Sequence, residues 1–240
     1  MEEQLHILAI AAHPDDVELS AAGTILKCIS QGKKVGILDL TKGELGTRGS
    51  AEIRMTEAEN ASKILGISAR ENLNLGDGSF QNSAENQIAI ARIIRKYRPQ
   101  IVLANAISDR HPDHGRASKL ISDACFYAGL RKIETELAGK KQERWRPKAV
   151  YHYIQDNYII PDFVVDVSDF VDQKIEAIKA FSSQFYDPES TEPESPITSE
   201  NLFEFLRGRM ANMGRYIGVD YAEGFTVERP IGVKDITALD

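Results

Sequence analysis

The chain of 240 residues is expected to fold as an α/β domain of the Rossmann-like type, a mostly parallel sheet with helices on both faces. Short apolar runs alternate with segments of helical periodicity from the N-terminus to about residue 130. The connections are too long for hairpins, so they read as right-handed βαβ crossovers. A chain of this length can also bury most of its apolar surface in one core, and residues 1–240 are read as a single domain.

Leu5 to Ala12 is a short, mostly apolar run that suits a central strand buried on both faces. Ala21 to Gln31 is helical with Gly32 as its stop, Lys34 to Leu40 is a second strand, and Ala51 to Leu65 is helical with Gly66 at its end. Asn72 to Leu75 is a candidate third strand. Ser83 is placed to cap a helix running through Tyr97, because Glu85 falls in its first turn and Ile90, Ile93 and Ile94 recur at helical spacing. Pro99 disfavours its continuation. Gln100 to Ala106 supplies another buried strand, followed by a helix from about His114 to Leu130. A charged connection then leads to strands at Ala149–Ile154 and Phe163–Val167 and helices at about Asp169–Gln184 and Glu200–Tyr216. The segment Asp187–Pro196 between those helices is polar and proline-rich and reads as a mobile loop.

The composition, 42% hydrophobic and 27% charged, is that of a folded globular chain. A net charge of -7 argues against nucleic acid or an anionic membrane as partner. The densest basic run, Lys140, Lys141, Arg144, Arg146 and Lys148, is interleaved with Glu143 and Trp145 and reads as a solvated connection. Two cysteines, Cys28 and Cys125, provide neither a disulfide framework nor a thiolate zinc site. The N-terminus has no basic leader and its apolar run is too short to span a bilayer, so a cytoplasmic location is expected.

In an open α/β sheet, ligands bind beyond the carboxyl ends of the strands. Two such ends are dense in imidazoles and carboxylates: Ala12-His13-Pro14-Asp15-Asp16-Val17-Glu18, and Ser108-Asp109-Arg110-His111-Pro112-Asp113-His114-Gly115. Each such group costs several kcal/mol to bury unpaired, and a divalent cation resolves that cost. His13 and Asp16 offer a nitrogen and an oxygen ligand, and one histidine of the second segment, His111 or His114, completes an open three-ligand site. The bland alternative makes the aspartates helix caps and the histidines polar turn residues. Two His-Pro-Asp cores at two strand ends favour the metal.

At these residues the chain resembles the PIG-L and LmbE-like family of N-acetylglucosamine deacetylases, whose signatures are the Ala-His-Pro-Asp-Asp run at 12–16 and His-Pro-Asp-His at 111–114. The likeness continues through Thr41-Lys-Gly-Glu-Leu-Gly-Thr-Arg-Gly49 and the Arg54, Glu57 and Glu59 pattern. Within the family it looks most like the bacillithiol-biosynthesis deacetylases, which hydrolyse the acetamide of N-acetylglucosaminyl malate to glucosaminyl malate and acetate. The resemblance implies His13, Asp16 and His114 as metal ligands, Asp15 as general base and His111 as an aid to the transition state. It also implies zinc (Zn2+), with Fe2+ or another divalent metal as an alternative, an acetylated aminosugar conjugate as small-molecule partner, and a homo-oligomer.

The chemistry fits those roles. Zinc both polarises an acetamide and activates water. Adjacent side chains at a turn diverge, which leaves Asp15 free of the metal that Asp16 holds. His111, as an imidazolium, would steady the oxyanion. Asp113 is expected either to orient a histidine from behind or to cap the following helix. Arg54 and Arg110 are candidate cations for a malate carboxylate, and Gly46 and Thr47 of the glycine-rich loop are candidates for backbone contact with the substrate. Tyr151, His152 and Tyr153 could stack on a sugar, although aromatic strand residues are more often core. The competing functions are another N-acetylglucosaminide deacetylase, a non-haem iron oxygenase, for which two histidines and a carboxylate also suffice, and a non-catalytic sugar-binding module.

Overall fold

A computed structural model describes residues 4–185, 191–193, 195 and 197–238. Strand β1 (Ile7–Ala11) is buried at every position, as its unbroken apolar run requires. Helix α1 (Asp16–Ser30), strand β2 (Val35–Asp39), helix α2 (Ala51–Leu65), strand β3 (Ala69–Asn72), helix α3 (Ala84–Tyr97), strand β4 (Ile101–Ala104) and helix α4 (Pro112–Ala128) follow in strict alternation. A two-stranded hairpin, β5 (Glu136–Leu137) and β6 (Lys140–Lys141), interrupts the charged connection. Strands β7 (Ala149–Tyr153) and β8 (Phe163–Asp166), helices α5 (Val171–Lys179) and α6 (Leu202–Gly214), and strand β9 (Ala222–Val227) complete the order, with 3-10 turns at Ser168–Phe170 and Ile236–Ala238.

The seven-stranded sheet runs β3-β2-β1-β4-β7-β9-β8. The first five strands are mutually parallel, and β9 is antiparallel to both of its neighbours. β1 pairs along its whole length with β2 and over Ile7–Ala9 with β4. Its side chains alternate between two cores: Leu8 and Ile10 pack with Ile90, Ile94, Leu120 and Ile121 from α3 and α4, and Ile7, Ala9 and Ala11 pack with Val17, Ala21 and Ile25 from α1. This double burial is the arrangement expected from the sequence.

Several boundaries differ, each for a local reason. α1 begins at Asp16, not Ala21, because the chain turns straight from strand into helix, with the acidic Asp16 and Glu18 in its first turn. β3 lies at Ala69–Asn72, three residues before the expected start, because it is a half-buried edge strand whose Arg70 is held by Asp39 and Glu18 instead of by an apolar pattern. The helix expected over Asp169–Gln184 shortens to α5 and ends in tight turns at Phe181 and Gln184. β9 carries Glu223 and Gly224 and has no strand-like apolar run, so the sequence reading missed it. Helices α2 and α3 start after Ser50 and Ser83, whose side chains accept from the amides of Ile53 and Asn86. Of the loop Asp187–Pro196, residues 187–190, 194 and 196 lie outside the described residues.

Candidate metal centre

The turns at the carboxyl ends of β1, β4 and β7 converge on one point, joined by the segment after β3. Asp15, the N-cap of α1, has a φ of 116° and makes no side-chain capping bond. A non-glycine residue in that left-handed region costs on the order of 1–3 kcal/mol, so the surrounding structure must hold it there. Arg54 does so. Its Nη2 donates to Asp15 Oδ2 at 2.6 Å, its Nε to the Pro14 carbonyl at 3.1 Å and its Nη1 to the Gly43 carbonyl at 3.3 Å. A side chain at Gly43 would sit 2.3 Å from Arg54 Nη1, so this glycine makes room for the arginine.

Asp16 is fixed at both oxygens. Oδ2 accepts from the His13 amide at 2.9 Å and from Asn105 Nδ2 at 3.0 Å, and Oδ1 accepts from Gln155 Nε2 at 3.1 Å. His114 Nε2 lies 3.0 Å from Oδ1, and His13 Nδ1 lies 3.6 Å from Oδ2. Zinc bonds of about 2.0–2.1 Å in a tetrahedron place ligand atoms about 3.3 Å apart, so this spacing suits such an ion.

The far nitrogen of each histidine is held by a carboxylate. Asp77 Oδ1 is 2.9 Å from His13 Nε2, and Asp109 Oδ2 is 2.5 Å from His114 Nδ1. Those contacts set the tautomers so that His13 Nδ1 and His114 Nε2 both face Asp16, the arrangement by which carboxylates orient imidazole ligands. The donor atoms of His13, His111 and His114 also lie within 4.8 Å of one another, as do those of His13, Asp77 and Asp113. In the second group, Asp77 also accepts from the Leu45 amide, and Asp113 from the Gly78 amide and Arg116, so both carboxylates are already spoken for behind His13.

Electrostatics agree with a cation site. Burial alone would raise Asp16, but His114 and His13 beside it hold its carboxyl well below the usual range. Burial would likewise lower the two histidines. Carboxylate neighbours instead raise His13 well above its ordinary value and His114 to about 9. Asp15 behaves differently: its burial outweighs Arg54 and lifts it to about 6. Two adjacent carboxylates therefore differ in basicity, the condition for different chemical roles.

The expected site residues fall into three groups. His13, Asp15, Asp16, His111 and His114 share one wall of a cavity of about 310 Å³. His111 caps α4, its Nδ1 accepting from the Asp113 amide at 3.3 Å, which makes Nε2 the protonated nitrogen of a neutral ring. Burial, His13 and His114 all lower its pKa. Asp113 is not the cap, and its Oδ2 stands 3.5 Å from His13 Nε2. Arg54 turns inward on Asp15 and does not present an open fork to a substrate carboxylate. Arg110 sits at the rim, half exposed, paired with Asp156 at 2.5 Å. Gly46 and Thr47 are exposed at the mouth, but the Gly46 amide is taken by the Gly43 carbonyl at 3.0 Å. Tyr153 and His152 are core: the Tyr153 hydroxyl donates to the Ile10 carbonyl, and the His152 ring meets Ser118, the Asn105 carbonyl and Glu228.

Asp77, Asn105 and Gln155 were missed by sequence reasoning, and Asp109 was seen without a role. The signal for Asp77 was its Gly-Asp-Gly turn just beyond a strand, hidden by the displaced position of β3.

Known proteins place the chain. The profile of the family described as PIG-L, GlcNAc-PI de-N-acetylase, matches residues 8–125. A diacetylchitobiose deacetylase of Thermococcus kodakarensis is 31% identical over 91% of this chain and 81% of its own. This chain belongs to the PIG-L family. A further family relative, from Bacillus anthracis and named as a probable N-acetyl-alpha-D-glucosaminyl L-malate deacetylase, is 26% identical over 77% of this chain and 84% of its own. A conserved protein from Thermus thermophilus superposes with a TM-score of 0.86 at 36% identity, covering 97% of this chain and 99% of that one. PIG-L relatives are thus named as deacetylases of more than one substrate. No helix among the described residues is long and apolar enough to cross a membrane.

Proposed function

We propose that this PIG-L protein is a metal-dependent N-deacetylase that converts N-acetylglucosaminyl malate and water to glucosaminyl malate and acetate, a step of bacillithiol biosynthesis. The observation that carries this reading is the convergence of His13 Nδ1, Asp16 and His114 Nε2 beside Asp15, a separately held carboxylate of raised pKa. His13, Asp16 and His114 are the proposed ligands of zinc or another divalent ion. When bound, the ion supplies polarisation of the acetyl carbonyl and acidity to water.

The protein's own groups do the rest. Asp15 takes a proton from water as the oxygen adds to the acetyl carbon, and delivers it to the sugar nitrogen as the C–N bond breaks. The neutral His111 ring donates its Nε2 proton in a hydrogen bond to the oxyanion formed between those steps. Arg54 keeps Asp15 in its left-handed conformation, and Asp77 and Asp109 keep the imidazoles aimed. The exposed Gly46 and Thr47, with Arg110, form the rim that a substrate passes.

The likeness to a diacetylchitobiose deacetylase supports a second substrate reading, a neutral N-acetylglucosaminide. Purified, metal-assayed protein incubated with N-acetylglucosaminyl malate, diacetylchitobiose and free N-acetylglucosamine separates them by acetate release. Absence of acetate from all three would sink the deacetylase reading, and preference for chitobiose would sink the malate assignment alone.

A further inference from the structure

Four arginines line the cavity: Arg48, Arg54, Arg110 and Arg209. Three are engaged. Arg54 holds Asp15, Arg110 pairs with Asp156, and Arg48 donates to the carbonyls of Pro193, Phe185 and Glu192. Arg209 is different. Its Nη2 donates to the Asp156 carbonyl and its guanidinium lies 5.4 Å from the centre of the Phe205 ring. Among the described residues, no carboxylate comes within ion-pair distance of it.

The position of Arg209 follows from helix geometry. Leu202, Phe205, Leu206 and Arg209 recur at intervals of three and four along α6 and all face the cavity, so the guanidinium ends an otherwise apolar stripe. Burial lowers its pKa, and the carboxylates of Asp156 and Asp109 offset that only in part. On α1, Ser20 is 6% exposed, and its Oγ has no hydrogen-bond partner among the described residues. Ser20 and Arg209 line the main cavity together and share the wall of a smaller cleft with Leu206 and Met210. A buried hydroxyl without a partner is unfavourable, and a ligand oxygen that it turns to meet would offset that cost.

We propose that Arg209 and Ser20 form a subsite for a carboxylate carried by the part of the substrate beyond the acetylated sugar, and thereby favour acidic N-acetylglucosaminides over neutral ones. A carboxylate accepts from the guanidinium fork and from the hydroxyl at once. Ser20 lies one helical turn from Asp16, about 6 Å along the axis of α1, so the subsite is displaced from the reacting centre instead of overlapping it. The neighbouring Asp109 and Asp156 carboxylates repel a phosphate dianion more than a monoanion, which favours a carboxylate. This inference rests on the deacetylase reading for its substrate, but the subsite can be tested without turnover.

The metal-loaded wild-type protein, Arg209→Gln and Ser20→Ala are compared for acetate release from N-acetylglucosaminyl malate and from neutral diacetylchitobiose. Arg209→Gln is expected to lower the ratio of kcat/KM for malate over chitobiose about tenfold, mostly through KM, and Ser20→Ala to lower it about threefold, as lost charged and neutral hydrogen bonds do. An unchanged ratio in Arg209→Gln overturns the proposal. Calorimetric titration with L-malate gives the second readout: the wild type should bind about tenfold more tightly than Arg209→Gln. Equal affinity, or no binding to the wild type, also overturns it. Failure of the wild type to release acetate from either substrate, with the malate difference intact, would reject the deacetylase reading and leave the subsite standing.

Discussion

Asp15 and Asp16 are neighbours in sequence and opposites in environment. Asp16 is ringed by donors that hold it ionised, and Asp15, buried against a single arginine, sits at about 6. Asp15→Asn should therefore reduce kcat by roughly a hundredfold to ten-thousandfold with bound metal unchanged, checked by acetate release alongside metal analysis of the same sample. A parallel fall in metal content would show Asp15 to be a ligand instead. Asp77 and Asp109 act through the histidines they hold, so Asp77→Ala or Asp109→Ala should weaken metal affinity by about ten- to a hundredfold in a competition titration with a chelating dye. Unchanged affinity would mean the imidazoles orient themselves. The pair of His-Pro-Asp cores made His13, Asp16, His111 and His114 legible as a group from sequence. Their orienting carboxylates were not, because a lone aspartate in a turn looks the same whether it faces water or an imidazole 64 residues away.

At the scale of elements, the site depends on how α1 is anchored. Glu223 of β9 accepts from the Gly23 and Thr24 amides in the middle of α1 and from Lys174 of α5 at 2.6 Å, with both charged side chains 2% exposed. A side chain at Gly23 would meet Val167 at 2.8 Å, so the glycine permits this close approach. Lys174→Ala leaves a buried, unpaired carboxylate and should cost about 3–5 kcal/mol in denaturant unfolding. A loss below 1 kcal/mol would show that Glu223 finds enough donors in the helix backbone. Elements with strong periodicity or caps, such as α2 and α3, were legible to the residue. β9 and β3 were not: one is a strand held by a buried ion pair and the other an edge strand held by an arginine, and neither carries an apolar rhythm.

For the molecule as a whole, a cation that binds only the folded chain stabilises it by mass action. Adding zinc at about a hundredfold over its dissociation constant should raise stability by about 2.7 kcal/mol and move Tm upward, and chelation should reverse both shifts, as followed by calorimetry. A Tm indifferent to zinc would argue against a formed site in the native fold. The alternation of buried strands and helices, the parallel sheet and the two reactive strand ends were determined by the sequence alone, because periodicity and local turn chemistry are written within a few residues of each other. The tertiary structure decided which nitrogen of each histidine faces Asp16, that Arg54 serves Asp15, and that Arg209 faces the cavity without a carboxylate partner among the described residues. Those outcomes depend on contacts between residues dozens of positions apart, and only the closed sheet with its packed helices brings them within bonding distance.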